Sequence, residues 1–173
     1  LVLQDPDSQV IAATVGRDVA FGCENLGLPR AEIWRRVEHA LDLVGLDVPL
    51  DHPTQRLSGG QKQRLALAGV IAMGAGLILL DEPTANLDPQ GARDVVAAVE
   101  RIVRATGATL VVVEHQYSAW SGLLDRAVRL DRGRIVEDGA YGAVTAARAV
   151  TGLPVAVPAP ADAEAALWSN NLV

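Results

Sequence analysis

Two neighbouring carboxylates, Asp81 and Glu82, follow directly on the apolar run Leu77 to Leu80. Such a run predicts a strand buried on both faces, which delivers the two acids to the carboxyl edge of a parallel sheet, where open α/β sheets bind ligands. A hard carboxylate oxygen suits Mg²⁺, and a second carboxylate suits a general base. A solvated strand end is the alternative for this pair taken alone.

A second chemical device lies upstream, in the segment Leu57 to Gln61, which reads Leu-Ser-Gly-Gly-Gln. Ser58 and Gln61 have capping-box spacing and predict a helix start with free backbone N–H groups and a positive dipole end, which attract phosphate. We interpret Gly59 and Gly60 as missing Cβ atoms that let an anion approach the backbone. An ordinary capped helix is the alternative.

Two further polar residues follow apolar segments. His115 comes just after the β-branched run Thr109 to Val113, and Gln4 comes just after Leu1 to Leu3. An isolated histidine at a strand end is most often structural, and a surface glutamine is the default reading of Gln4. Their order around the carboxylates and the glycine turn gives both residues more weight.

In this order the segments resemble the ABC-type ATPases, with a signature loop, a Walker B strand ending in a catalytic glutamate, a D-loop and a switch histidine. Gln4 is similar to the glutamine of their Q-loop. Asn86 departs from the glycine, alanine or serine usual in the D-loop. The resemblance implies ATP and Mg²⁺ as ligands, catalysis by Glu82 and His115, nucleotide contacts from Ser58, Gly59, Gly60, Gln61 and Asp88, and metal binding by Asp81 and Gln4.

A narrower resemblance runs from about residue 1 to 139. The segments Gln4 to Gln9, Thr14 to Gly22 and Asn25 to Leu28 are similar to the ATPase subunits of energy-coupling factor (ECF) importers of vitamins, cobalt or nickel. This implies a peripheral protein at the cytoplasmic face of the cell membrane, bound to a transmembrane scaffold. It also implies a second ATPase subunit or half, arranged head to tail, whose ATP the signature turn closes over.

The resemblance implies an α/β fold of the P-loop NTPase, ABC type, with a parallel sheet core and an inserted helical subdomain. We expect the helical part over about 5–74, the sheet core over 75–139, and a C-terminal helix with an Ala/Pro-rich linker over 140–173. Apolar spacing predicts helices over 30–44 and from Pro89 to near Gly107, and a short helix over 117–124. Two strands are predicted over 127–130 and 133–136.

Composition bounds the alternatives. The 173 residues carry 15 basic and 21 acidic side chains, a net charge of −6 that argues against a nucleic-acid partner. Cys23 has no second cysteine to pair with, which favours a reducing compartment. The longest uncharged stretch, Leu65 to Leu80, has 16 residues, fewer than the roughly 20 that span a bilayer.

No P-loop pattern G-x-x-x-x-G-K-[ST] occurs, and Lys62 is the single lysine. We therefore expect the P-loop and its strands to precede Leu1, and the chain without them to bind nucleotide poorly. A soluble ABC ATPase acting on nucleic acid or ribosomes, and an inactive interaction fragment, remain as alternatives. We further expect Asp5 and Asp7 to receive basic residues of the scaffold.

Overall fold

A computed structural model describes residues 1–148 and 155–156 of the protein. Short 3₁₀ helices lie at Asp7–Gln9, Thr54–Arg56 and Tyr117–Trp120. The helices are α1 (Val15–Asn25), α2 (Arg30–Val44), α3 (Gly59–Ala72), α4 (Pro89–Thr106) and α5 (Tyr141–Arg148), and the strands are β1 (Leu77–Asp81), β2 (Thr109–Glu114), β3 (Arg126–Asp131), β4 (Arg134–Ala140) and β5 (Val155–Ala156).

The strands form one sheet in the order β1-β2-β5-β3-β4. β1 and β2 are parallel, and Val2 adds a parallel bridge to Leu80 on the outer side of β1. The predicted parallel sheet is therefore present where the two carboxylates lie. The other half is antiparallel, because β3 and β4 are joined by the tight turn around Gly133 and β5 runs against both of its neighbours.

The prediction that β1 is buried on both faces is wrong. Ile78 and Leu80 are fully or almost fully buried in a core that also contains the inner side of α4, whereas Leu77 is 50% exposed. β2 alternates in the same way, with Val112 buried and Val113 exposed. The described residues cover only one face of these two strands.

Helices α1, α2 and α3, which precede the strands in the chain, pack against one another. The predicted apolar side of α2 is confirmed, and this helix ends at Gly45, whose φ of 66° is the left-handed conformation common after a helix. Two arginines then satisfy carbonyls at this end, because Arg64 donates to Gly45 O at 2.6 Å and Arg101 donates to Leu43 O at 2.9 Å. The α2 end is thereby fastened to both α3 and α4.

The segment after β2 differs from its prediction. A 3₁₀ turn over Tyr117–Trp120 replaces the predicted helix over 117–124, and the Trp120 side chain is fully buried there. Two residues of the predicted linker, Val155 and Ala156, form β5, because they pair with β2 and β3. The remaining linker prediction lies outside the described residues. Within the described part, no helix combines the length and apolarity needed to cross a bilayer.

Candidate functional site

The carboxyl ends of β1 and β2 bring Glu82 and His115 together. Both residues come immediately after their strands, and parallel pairing aligns the strand ends, with Asp81 opposite Val113. His115 Nε2 lies 2.8 Å from Glu82 Oε1. The side chains are 57% and 24% exposed, respectively, so the pair is reachable from solvent. Sequence spacing predicted both residues at this edge, and the structure adds their direct contact.

The loop after β1 has unusual backbone geometry. Glu82 has φ of 45° and Asn86 has φ of 62°, the left-handed region that most non-glycine residues avoid. Strain of this kind costs about 1–3 kcal/mol per residue and is concentrated at functional sites. Asparagine is among the residues that tolerate it best, which accounts for Asn86 at this position of the loop. The Glu82 N–H is held by Val113 O at 2.9 Å, which fixes the turn against β2.

Sequence reasoning missed Glu114. This carboxylate is 5% exposed and accepts three hydrogen bonds, from Thr84 Oγ1 at 2.6 Å, from His115 N at 2.9 Å and from Gln116 N at 3.2 Å. The strand alternation could have found it, because Glu114 shares the inward parity of Leu110 and Val112. An acid at an inward strand position needs donors, and here both neighbouring loops supply them.

The predicted capping box at the start of α3 is confirmed. Ser58 Oγ accepts from Gln61 N at 3.3 Å, and Gln61 Oε1 accepts from Ser58 N at 2.8 Å. Ser58 and Gly59 are exposed, so the tip of this turn is open to solvent. A ligand contact at the tip stays a prediction.

The structure shows a packing reason for glycine at position 60, which the sequence analysis did not predict. Gly60 is buried, and a Cβ at this position would lie 3.1 Å from the Cα of Gly91 in α4. The missing side chain therefore lets α3 and α4 approach each other, and the interpretation of Gly60 as room for an anion stays a prediction. At the exposed Gly59, the nearest atom to such a Cβ is Leu87 Cδ2 at 3.2 Å. Nucleotide contact through the Gly60 backbone stays a prediction.

Asp88 caps α4. Its Oδ1 accepts from Gln90 N and Gly91 N, both at 2.9 Å. These bonds, that from Gly91 foremost, lower the pKa of the Asp88 carboxyl. Because Gly91 packs against Gly60, Asp88 and the turn Leu57 to Gln61 of the same chain lie on one packed unit. The predicted contact of Asp88 with nucleotide or with a second subunit remains untested.

The predicted metal ligands, Asp81 and Gln4, are both exposed on adjacent chain segments. Val2 N donates to Leu79 O at 2.8 Å and Asp81 N donates to Val2 O at 2.9 Å, so Gln4 leaves the sheet beside Asp81. No group of three acidic, histidine or cysteine residues forms a complete metal site within the described ranges. Mg²⁺ needs only one or two protein oxygens besides water and substrate phosphate, and this donor pair fits that pattern.

The N-terminal segment, residues 1–9, is tied to α3. Gln63 Nε2 donates to Leu3 O at 3.1 Å, and the neighbouring Lys62 forms an ion pair with Asp7. Asp5 accepts from the Asp7 N–H at 3.0 Å. Asp7 therefore already has a basic partner in its own chain, which weakens the prediction that it waits for a basic residue of a scaffold.

Comparisons with known proteins agree with one another. The sequence profile of the family described as ABC transporter matches residues 2–85. The chain is 48% identical over 139 residues to the energy-coupling factor transporter ATP-binding protein EcfA1 of Caldanaerobacter subterraneus subsp. tengcongensis, which covers 80% of this chain and 50% of that protein. It is 46% identical over 149 residues to the cobalt import ATP-binding protein CbiO of Rhodobacter capsulatus. This match covers 86% of this chain and 53% of that protein.

A solved structure shares the fold. It is cbiO1 from Clostridium perfringens, described as part of the ABC transporter complex cbiONQ. The TM-score is 0.77 at 38% sequence identity, and the match covers 84% of this chain and 58% of that one. This likeness confirms the predicted fold class. The chain spans about half the length of the curated relatives it matches.

Proposed function

We propose that this chain, which matches the profile of the family described as ABC transporter and is 48% identical to an energy-coupling factor transporter ATP-binding protein, forms the catalytic edge and signature turn of an ATP-hydrolysing subunit. The subunit energises an ECF-type importer of vitamins, cobalt or nickel. The observation that carries the proposal is the 2.8 Å contact between Glu82 and His115 at the shared edge of two parallel strands. A solvent-accessible acid and imidazole in contact are suited to orienting water and a phosphate oxygen.

In this proposal Glu82 orients the attacking water and accepts its proton. His115 is more than half exposed, so its imidazole can turn from Glu82 towards the γ-phosphate. Asp81 and Gln4 would hold Mg²⁺, which supplies charge neutralisation on the phosphates when bound. The Glu82 backbone is held at φ of 45° by the bond of its N–H to Val113 O, which places the carboxylate in advance, and positioning of this kind is a large part of the catalysis of phosphoryl transfer.

The second partner in the proposal is another ATPase subunit or half. The turn at Ser58 and Gly59 is exposed, and its free N–H groups form an anion-attracting helix end. The contact of Gly60 with Gly91, where an added Cβ would come within 3.1 Å, fixes this turn to the body of its own chain. We therefore infer that the turn acts on a nucleotide held by the neighbour, in a head-to-tail pair.

The proposed membrane partner has a candidate receptor surface. A groove of about 500 Å³ lies between the Q-loop segment and the helices, and it is lined largely by apolar side chains. Ile11 at 61%, Leu26 at 57% and Phe21 at 41% exposure supply much of that surface. Asp18 keeps one wall in place by accepting from Ile11 N at 2.7 Å and Ala12 N at 2.8 Å. We propose that a transmembrane scaffold inserts a segment here, at the cytoplasmic face of the membrane.

The test uses a protein that contains this chain together with a P-loop, assembled with its scaffold. Glu82→Gln is expected to lower kcat for ATP hydrolysis by roughly 100-fold or more, while ATP binding is retained. Glu38→Gln is the matched control, because Glu38 is an exposed carboxylate on α2 away from the site. Hydrolysis by Glu82→Gln at the rate of the unaltered protein would contradict the proposed function.

A further inference from the structure

The buried polar side chains in the described part of the chain are few, and one of them is an acid. They are Thr54, Gln63 and Glu114. The Glu114 carboxylate points inward from the last position of β2, where Leu110 and Val112 precede it on the same face. A buried carboxylate is costly unless every oxygen is satisfied, so its donors carry information about what it does.

Those donors come from the two loops that bear the proposed catalytic pair. Thr84 Oγ1, at 2.6 Å, is two positions beyond Glu82, and the N–H groups of His115 and Gln116 begin the second loop. One carboxylate thus holds the loop after β1 with one oxygen and the loop after β2 with the other. We propose that Glu114 is a positioning residue that sets the separation of Glu82 and His115, an inference that rests on the proposed function.

The local geometry explains why a residue that holds both loops is needed. Glu82 has φ of 45°, so its loop is strained and relaxes unless it is held. The Glu82 N–H is bound to β2 at Val113 O, at 2.9 Å, but the loop beyond it has its link to β2 through Thr84. Without the carboxylate, the His115 and Gln116 amides and the Thr84 hydroxyl lose their acceptor. The contact between Glu82 and His115 is then held less tightly, because on the Glu82 side the bond to Val113 O remains but the link through Thr84 is lost.

Three variants of the protein containing this chain and a P-loop test the proposal. Glu114→Ala is expected to lower kcat by about 10–100-fold with little change in the KM for ATP. Glu114→Gln keeps an oxygen for the two amides and an N–H₂ for the Thr84 hydroxyl, so it is expected to retain most of kcat. Thr84→Val removes one donor and is expected to cost roughly tenfold, with no further loss in the Glu114→Ala background.

A second readout needs no nucleotide. In the full 173-residue chain, hydrogen exchange of the His115 and Gln116 amides is expected to accelerate at least about tenfold in Glu114→Ala. The same rates are expected to stay close to those of the parent in Glu114→Gln. Glu38→Ala, which removes an exposed carboxylate from α2, is the control and is expected to leave both readouts unchanged.

The outcomes separate the two proposals. If Glu82→Gln abolishes hydrolysis but Glu114→Ala turns over at the parent rate, the positioning role is wrong and the proposed function stands. If the parent hydrolyses no ATP, the proposed function fails. Unchanged exchange of the His115 and Gln116 amides in Glu114→Ala would contradict the positioning role of Glu114. Equal losses in Glu114→Ala and Glu114→Gln would contradict it too. If Glu114→Ala fails to fold, Glu114→Gln and Thr84→Val carry the test.

Discussion

The close approach of α3 to α4 can be tested by adding one methyl group at Gly60. A Cβ there would lie 3.1 Å from Gly91 Cα, and backbone cannot swing aside as a side chain can. Relief requires the two helices to separate by a few tenths of an ångström. Overpacking of this kind costs about 1–3 kcal/mol. The gain in helix propensity from Gly to Ala, at most about 1 kcal/mol, offsets part of that cost.

The matched control lies in the same helix. Gly69 has no atom within 4 Å of an added Cβ beyond its own helix backbone, so Gly69→Ala is expected to stabilise the chain by about 0.5–1 kcal/mol. The two variants make the same chemical change in different surroundings. We therefore expect Gly60→Ala to be less stable than Gly69→Ala by about 1–3 kcal/mol.

Urea unfolding followed by circular dichroism measures the difference. The slope m is expected to be the same for both variants and the parent, so the midpoints report stability directly. Equal stabilisation by the two substitutions would refute the reasoning, because it would mean that no backbone lies against Gly60. A change in m for Gly60→Ala alone would show that the substitution alters more than one helix contact.

Two other predictions concern α2 and α3. Hydrogen bonds from Arg35 and then Arg36 lower the pKa of Glu32 from 4.5 to about 2, so its contribution to stability is present above pH 4.5 and is lost as the pH falls towards 2. Glu32→Gln is expected to flatten the decline of the unfolding midpoint across that window, and an unchanged pH profile would contradict this. Ser58→Ala removes the acceptor for Gln61 N and is expected to cost about 1 kcal/mol in urea unfolding, whereas Ser58→Thr, measured alongside, is expected to keep most of the cap.

The sequence was sufficient where short-range physics decides the structure. The apolar period of α2 predicted Arg30–Val44, and the spacing of Ser58 and Gln61 predicted the capping box. The two apolar runs predicted strands that end at Glu82 and His115, and the parallel pairing seen in the structure brings these residues together at one edge. Each of these conclusions needs a repeat or a few neighbouring residues and no knowledge of distant contacts.

Several features that the sequence did not predict involve partners that are distant in sequence. Glycine is required at position 60 because Gly91 of another helix packs against it. The sequence around Gly60 does not indicate this contact. The role of Glu114 was missed because one of its donors, Thr84, is 30 positions away. An apolar run such as Leu77 to Leu80 likewise does not state how many of its faces the rest of the chain will cover.

Helix α3 joins the glycine turn at its start to the apolar groove near its end. Its 14 residues make a rod of about 21 Å, with the glycine turn at one tip, while Val70, near the other end, borders the apolar groove. Lys62 and Gln63 bind this rod to Asp7 and Leu3, and Leu3 also borders the groove. Because one continuous helix joins the turn to the groove wall, we expect a tilt of α3 at the turn to move the groove wall as well.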